Sequence, residues 1–126
     1  MNIWLLQIGE PLPLDSGVRK LRTALIADKL VERGHSVVWC ASAFEHQRKC
    51  LLFEKDSSVE VSERYTIRAF KGIGYARNVS IRRYLDHRFL ARKFARFAVR
   101  EDPPDLIVAS TPSHDLAYEG VHYAKE

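Results

Sequence analysis

The chain has 126 residues, a mass of 14.5 kDa and a formal net charge of +4. This length suffices for one domain with its own core but not for two, and 46% hydrophobic with 29% charged residues excludes a chain disordered throughout. Cys40 and Cys50 form neither a disulfide framework nor a CxxC pair. No apolar run approaches the roughly 18 residues of a membrane span, and no signal peptide is recognisable, so we expect a cytoplasmic protein with reduced thiols.

The first part of the sequence predicts a βαβ unit. Residues 2–8 (NIWLLQI) and 37–41 (VVWCA) are continuous apolar runs, as in strands covered on both faces. Between them, residues 18–33 have helical periodicity with a wide apolar stripe, and Gly34 is a natural residue to follow the end of that helix. Such a crossover joins parallel strands.

The remaining elements are less regular. Residues 50–53 and Tyr65–Phe70 read as short strands around a polar stretch, which predicts a small antiparallel excursion. A long helix starts at Ser80, a candidate N-cap, and ends near residue 100 before two prolines. Residues 106–109 then read as a third buried parallel strand, and residues 115–125 as a last helix. The predicted fold is an open α/β, Rossmann-like three-layer sandwich with a mostly parallel sheet, formed by residues 1–126 as one domain.

The loop between the first strand and the first helix is the first candidate site. Residues 9–17 (GEPLPLDSG) carry Gly and Pro breakers, with Asp15 and Ser16 as candidate N-caps. Ligands of open α/β sheets bind beyond the carboxyl ends of the strands, where helix N-termini offer N–H groups to anions. We therefore expect Gly9, Ser16 and Gly17 to contact a substrate, or else to form an ordinary turn. The loop lacks GxGxxG, which disfavours a nicotinamide or flavin cofactor.

Positive charge is concentrated in one segment. From Arg64 to Arg100 the chain has eleven basic residues and one acid, Asp86, a local charge of +10 that leaves −6 for the rest. On a helical wheel the core face of the long helix holds Tyr84, Leu90, Ala91, Phe94, Phe97 and Ala98, whereas Leu85 and Phe89 lie among the cations Arg82, Arg92, Lys93, Arg96 and Arg100. This pattern predicts either an anionic membrane surface as partner, at about 1 kcal/mol per basic residue, or a solvated face with both apolar residues buried under a loop.

Two strings resemble a known family. Residues 32–38 (ERGHSVV) follow a Pro-containing loop and helix, and residues 104–112 (PDLIVASTP) form a later strand and loop. Their order and spacing are similar to those at the start of group 1 (family 4) glycosyltransferases of the GT-B fold. That family often has Gly-Gly where this chain has Ser16 and Gly17.

The resemblance implies an activity. Family members transfer a sugar from a nucleotide-sugar donor to an acceptor, usually with retention and without a metal. The resemblance also implies that this chain is the acceptor-side N-terminal half of such an enzyme, in cell-envelope or other glycan biosynthesis, binding a sugar or a lipid-linked acceptor. The donor cofactor would bind to a C-terminal domain that the sequence lacks, and we expect this chain alone to be inactive and the membrane attachment to be peripheral.

His114, with Ser113 beside it, follows the third predicted strand. Some family members place a functional histidine near this loop, where an imidazole can bind an acceptor hydroxyl or assist proton transfer. The resemblance thus implies a catalytic role for His114 and a substrate contact for Ser113. The alternative is that the neighbouring Ser113 and Asp115 cap the last helix and that His114 is solvated.

Two functions of other classes stay open. The basic helix with interleaved aromatic residues would suit nucleic acid, but the sequence has no recognisable nucleic-acid motif, which disfavours that partner. The other alternative is an α/β domain that works only through protein contacts. We also expect residues 106–109 to lie at an unfilled sheet edge, which would favour a homodimer.

Overall fold

The structure is a computed structural model. It describes residues 1–14, 17–46, 48–77, 79–110 and 114–126. Its strands and helices are β1 (Asn2–Leu6), α1 (Arg22–Glu32), β2 (Ser36–Ser42), β3 (Phe44–Glu45), β4 (Cys50–Leu51), β5 (Ser57–Ser62), β6 (Tyr65–Phe70), α2 (Ile81–Ala98), β7 (Leu106–Ala109) and α3 (His114–Lys125). Five strands form one sheet in the order β5-β6-β2-β1-β7, and β3 and β4 form a separate ribbon.

The sheet is mostly parallel, as predicted. β1 pairs in parallel with β2 and β7, and β2 pairs in parallel with β6, whereas β5 and β6 form an antiparallel hairpin. The predicted excursion is therefore present, and its strand Tyr65–Phe70 is confirmed as β6, but the partner of that strand differs. Cys50 and Leu51 pair with β3, and the polar stretch itself forms β5, because an edge strand with one exposed face does not need an apolar sequence.

Alternate residues of β1 bury opposite faces of the sheet. Ile3 and Leu5 pack in a cluster with Ala24 and Ala27 of α1. Trp4 and Leu6 pack in a second cluster with residues of α2 and α3, where the Trp4 ring meets Phe94 edge-on, with ring centroids 6.0 Å apart. This alternation follows from the two-residue period of a strand, and it places helices against both faces.

Helix α1 begins later than its periodicity predicts. It starts at Arg22 rather than residue 18, and its N-cap position, Leu21, has no capping side chain. The predicted caps Asp15 and Ser16 lie outside the described residues. The prediction of a wide buried face on α1 was also wrong, because Leu25 and Ile26 are exposed and the buried residues form a narrow face.

Helix α2 matches its prediction at the start. The Ser80 hydroxyl accepts the backbone N–H of Arg83 at 3.1 Å, which confirms Ser80 as the N-cap. Tyr84, however, is exposed rather than in the core, and Leu85 and Phe89 are exposed rather than covered by a loop. No helix in the described part of the chain is long and apolar enough to cross a membrane.

Strand β7 has the predicted residues but not the predicted burial. It lies at one end of the sheet order, and Leu106 and Val108 are 47% and 38% exposed. Its outer edge is unpaired within the described chain, the arrangement that favours strand addition. The homodimer stays a prediction.

Candidate functional site

A cavity of about 410 Å³ opens at the carboxyl edge of the sheet, the edge where β1, β2, β6 and β7 end. We call it the edge cavity. Residues from the ends of strands and the starts of helices converge on it: Gln7, Gly9, Glu10, Leu21, Arg22, His46 and Arg83. Its position agrees with the general place of ligand sites in open α/β sheets.

Buried hydrogen bonds hold the segment that follows β1. Gln7 is buried, and its side-chain Oε1 accepts the N–H of Gly9 at 3.1 Å. Its backbone carbonyl accepts the indole N–H of Trp39 at 2.8 Å. The chain therefore leaves the sheet in a fixed direction, with Gly9 and Glu10 on the cavity wall.

Glu10 caps helix α1. Its carboxylate accepts the backbone N–H of Thr23 at 2.9 Å and also the Thr23 hydroxyl. An acidic group is favourable at this end of a helix because the first N–H groups have no partner within the helix. One N–H group at the N-terminus of α1 is thus already paired with a carboxylate of the chain itself, and the predicted substrate contacts of this loop stay a prediction.

His46 on the cavity lining is paired with Tyr75, which is buried behind it. The Tyr75 hydroxyl lies 2.5 Å from Nδ1 of His46. Burial, reinforced by the nearby charges of Lys49 and Arg83, lowers the pKa of His46, and burial raises the pKa of Tyr75. Both shifts favour a neutral pair, so we assign the hydroxyl as donor to Nδ1, which puts the imidazole proton on Nε2.

Helix α2 positions the segment that carries Tyr75. Asp86 is buried, and its carboxylate accepts the N–H of Gly74 at 3.0 Å. Arg82 donates to the carbonyl oxygens of Ile73 and Gly74, each at 2.9 Å. Gly74 has a φ of +72°, which favours glycine. These bonds hold Tyr75 where its ring packs on Phe44, with centroids 4.7 Å apart.

The predicted substrate residues are only partly brought together. Gly9 lines the edge cavity, whereas Gly17 and His114 are exposed and are not part of its described lining. Gly17 lies in the connection that follows β1, and His114 is the first residue of α3, which follows β7, so both belong to the carboxyl edge. Ser16 and Ser113 lie outside the described residues. The catalytic role of His114 stays a prediction.

The predicted cations have different environments. Arg82 is bonded to a loop, and Lys93 pairs with Asp56 at 2.7 Å. Arg92 is exposed on the side of α2 that faces α3, and Arg96 and Arg100 are exposed beside the β5–β6 hairpin. The helix therefore does not present one continuous basic face.

Sequence reasoning missed Glu10, His46, Tyr75 and Arg83. His46 and Tyr75 are 29 positions apart, in segments without regular secondary structure, so no periodicity relates them. Glu10 offered no local signal either, because it lies 13 positions before Thr23, and Asp15 and Ser16 stand closer to the helix as candidate caps.

Within the described chain, no group of three or more His, Cys, Asp or Glu side chains is placed to hold a metal ion. In comparisons with known proteins, no family model matches this sequence, and no curated protein has significant similarity to it.

Proposed function

We propose that this chain is the acceptor-binding domain of a nucleotide-sugar-dependent glycosyltransferase with a Rossmann-like three-layer architecture. The mostly parallel sheet, the helices against both of its faces and the order of the two family-like strings support this proposal. The edge cavity is the observation that carries it.

The lining of the edge cavity suits the hydroxyl groups of a sugar. Gln7 and Glu10 supply acceptor oxygens, and the His46 Nε2–H and Arg22 supply donors. Each Glu10 oxygen that is bonded to Thr23 keeps a second lone pair. A volume of about 410 Å³ falls within the range of small-molecule sites.

The proposed division of labour follows the resemblance. This domain orients the acceptor, and a second domain holds the nucleotide-sugar donor and meets the charge that develops on the leaving nucleotide. The chain by itself should therefore bind sugars without transferring them.

Saturation-transfer NMR tests the proposal directly. Hexoses, disaccharides and a short-chain polyprenyl-phosphate sugar are offered to the wild-type chain, to the double variant R22Q/H46A and to the exposed-histidine control H122Q. We expect at least one sugar to bind wild type and H122Q, and to lose most of its signal with R22Q/H46A. If no sugar binds, or if duplex DNA binds with a steep salt dependence, the proposal is contradicted.

A second candidate role is attachment to an anionic membrane surface, and one feature favours it. Ile81, Leu85 and Phe89 form an exposed apolar stripe at four-residue spacing along α2, and Lys93 continues it with its Nζ 5.2 Å from the centre of the Phe89 ring. Apolar groups beside cations are typical of helices that lie in a membrane interface. Co-sedimentation with phosphatidylglycerol vesicles should fall for L85Q/F89Q, and equal retention of this variant and wild type would contradict the role.

A further inference from the structure

A second cavity, of about 540 Å³, lies between the β5–β6 hairpin and the C-terminal half of α2. We call it the hairpin cavity. Helix α2 packs toward β1, where Phe94 meets Trp4, and its flank with Lys93 and Arg96 faces the hairpin across a gap. The hairpin cavity shares no described lining residue with the edge cavity. The inference below is therefore independent of the proposed glycosyltransferase function.

Two ion pairs cross this gap from hairpin to helix. Lys93 of α2 pairs with Asp56, just before β5, at 2.7 Å. Arg68 of β6 pairs with Glu101, just after α2, at 3.1 Å. Asp56 also accepts the N–H of Lys71 at 2.6 Å. Both carboxylates on the lining are thereby engaged, and the pairs fix the separation of the two walls.

Two arginines on the α2 side of the hairpin cavity form no ion pair with another described residue. Arg96 and Arg100 are one helical turn apart on the cavity lining, and both are exposed. No ion pair or side-chain hydrogen bond joins either guanidinium to another residue in the described ranges. The lining has four cations against two carboxylates, so these two guanidinium groups supply a local charge of +2 that nothing within the lining neutralises.

We propose that the hairpin cavity binds a phosphate group carried by an organic ester. A guanidinium offers a planar fork of N–H donors that matches phosphate oxygens, and two such groups match the charge of a phosphate dianion. Ser57 and Ser58 add hydroxyl groups to the lining. The cavity is larger than inorganic phosphate requires. Phe97 offers apolar surface to the rest of the ester, and the Arg68 guanidinium lies 4.8 Å from the centre of its ring.

A phosphate monoester is found on soluble esters and on the headgroup of phosphatidic acid, and both present the same dianionic oxygens to Arg96 and Arg100. The experiment therefore has two arms. In the first, inorganic pyrophosphate is titrated at constant ionic strength into the ¹⁵N-labelled chain, and the arginine Nε–Hε resonances are followed. In the second, the chain is sedimented with vesicles that contain phosphatidic acid and with phosphatidylcholine vesicles.

The matched variants are R96Q/R100Q and R88Q/R92Q. Each double variant removes two positive charges from α2 or the residues just after it, but Arg88 and Arg92 lie outside the hairpin cavity, against α3. We expect R96Q/R100Q to weaken pyrophosphate binding by about tenfold or more, and R88Q/R92Q by less than about twofold. A thermal melt shows that each variant is folded, and if the double variant is not, the single variants R96Q and R100Q are each expected to weaken binding.

Each outcome decides the proposal. Saturable pyrophosphate binding that is lost only in R96Q/R100Q supports the proposal. If that variant is also retained less by anionic vesicles than wild type is, the phosphate is assigned to a lipid headgroup. If anionic vesicles retain R96Q/R100Q and wild type equally, the phosphate is assigned to a soluble ester. Equal weakening in both double variants, which indicates a response to net charge alone, overturns the proposal, as does the absence of saturable binding to wild type.

Discussion

The two ends of helix α2 carry the same kind of residue and use it differently. At the N-terminal end, Arg82 donates to two carbonyl oxygens of the loop that follows β6, and Asp86 accepts an N–H from that loop. At the C-terminal end, Arg96 and Arg100 face a cavity, and no bond to another described side chain holds them. One end holds the loop beside the edge cavity, and the other leaves two arginines exposed on the lining of the hairpin cavity.

This difference shows that a charge count does not define a function. Counting the basic residues of a segment gives every arginine the same weight. A guanidinium bonded to backbone carbonyls contributes to stability, whereas a solvated guanidinium contributes little and is available to an anion. Substitutions at the two ends should therefore separate stability from binding.

The largest expected effect is at Asp86. D86A leaves the buried N–H of Gly74 without its acceptor, which should lower the free energy of unfolding by about 1–3 kcal/mol. Urea denaturation followed by circular dichroism measures this change. The control D102A removes an exposed acid and should change the value by less than about 0.5 kcal/mol. Equal effects of the two variants would show that Asp86 does not hold the loop.

Arg82 and Arg96 form the sharpest pair, because the same substitution is made at opposite ends of α2. R82Q removes two hydrogen bonds to the loop and should cost about 1–2 kcal/mol in the free energy of unfolding. R96Q should cost less than about 0.5 kcal/mol. The comparison fails if R96Q destabilises the chain as much as R82Q does in the same urea experiment.

Lowering the pH should have a smaller effect on the free energy of unfolding, through two histidines near the N-terminal end of α2. The pKa values of His46 and His87 are lowered below 6.5, chiefly by burial, so the unfolded chain takes up protons at a higher pH than the folded chain. The free energy of unfolding should therefore fall as the pH drops through about 6.5. Melting curves at about pH 7.5 and 5.5 should show a smaller fall for H46Q than for wild type. An undiminished fall in H46Q would exclude His46 as a source.

Local patterns predicted much of the fold. Apolar runs located β1, β2 and β7, and the Ser80 cap located the start of α2, because these signals lie within a few residues of the elements that they define. The start of α1 was missed because its cap, Glu10, lies 13 positions before Thr23. The edge position of β7 was expected and is confirmed, but its exposure was missed because an apolar run was taken to mean a strand covered on both faces.

The candidate site was less predictable than the fold. The carboxyl edge follows from the βαβ order, and so the neighbourhood of Gly9 could be inferred. His46 meets Tyr75 in a loop that Arg82 and Asp86 of α2 hold in place, and these contacts depend on how α2 packs. The sequence identified Asp86 as the lone acid of a basic segment, with no sign that it is buried.

The central claim, that the edge cavity is the sugar-binding site, is tested most directly by mapping a bound sugar on the backbone amides of the ¹⁵N-labelled chain. The account predicts that a sugar identified in the binding screen shifts the amide resonances of Gly9, Arg22 and His46 and leaves those of Arg68 and Arg100 unchanged. Shifts confined to the hairpin cavity, or spread evenly over both cavities, would contradict it.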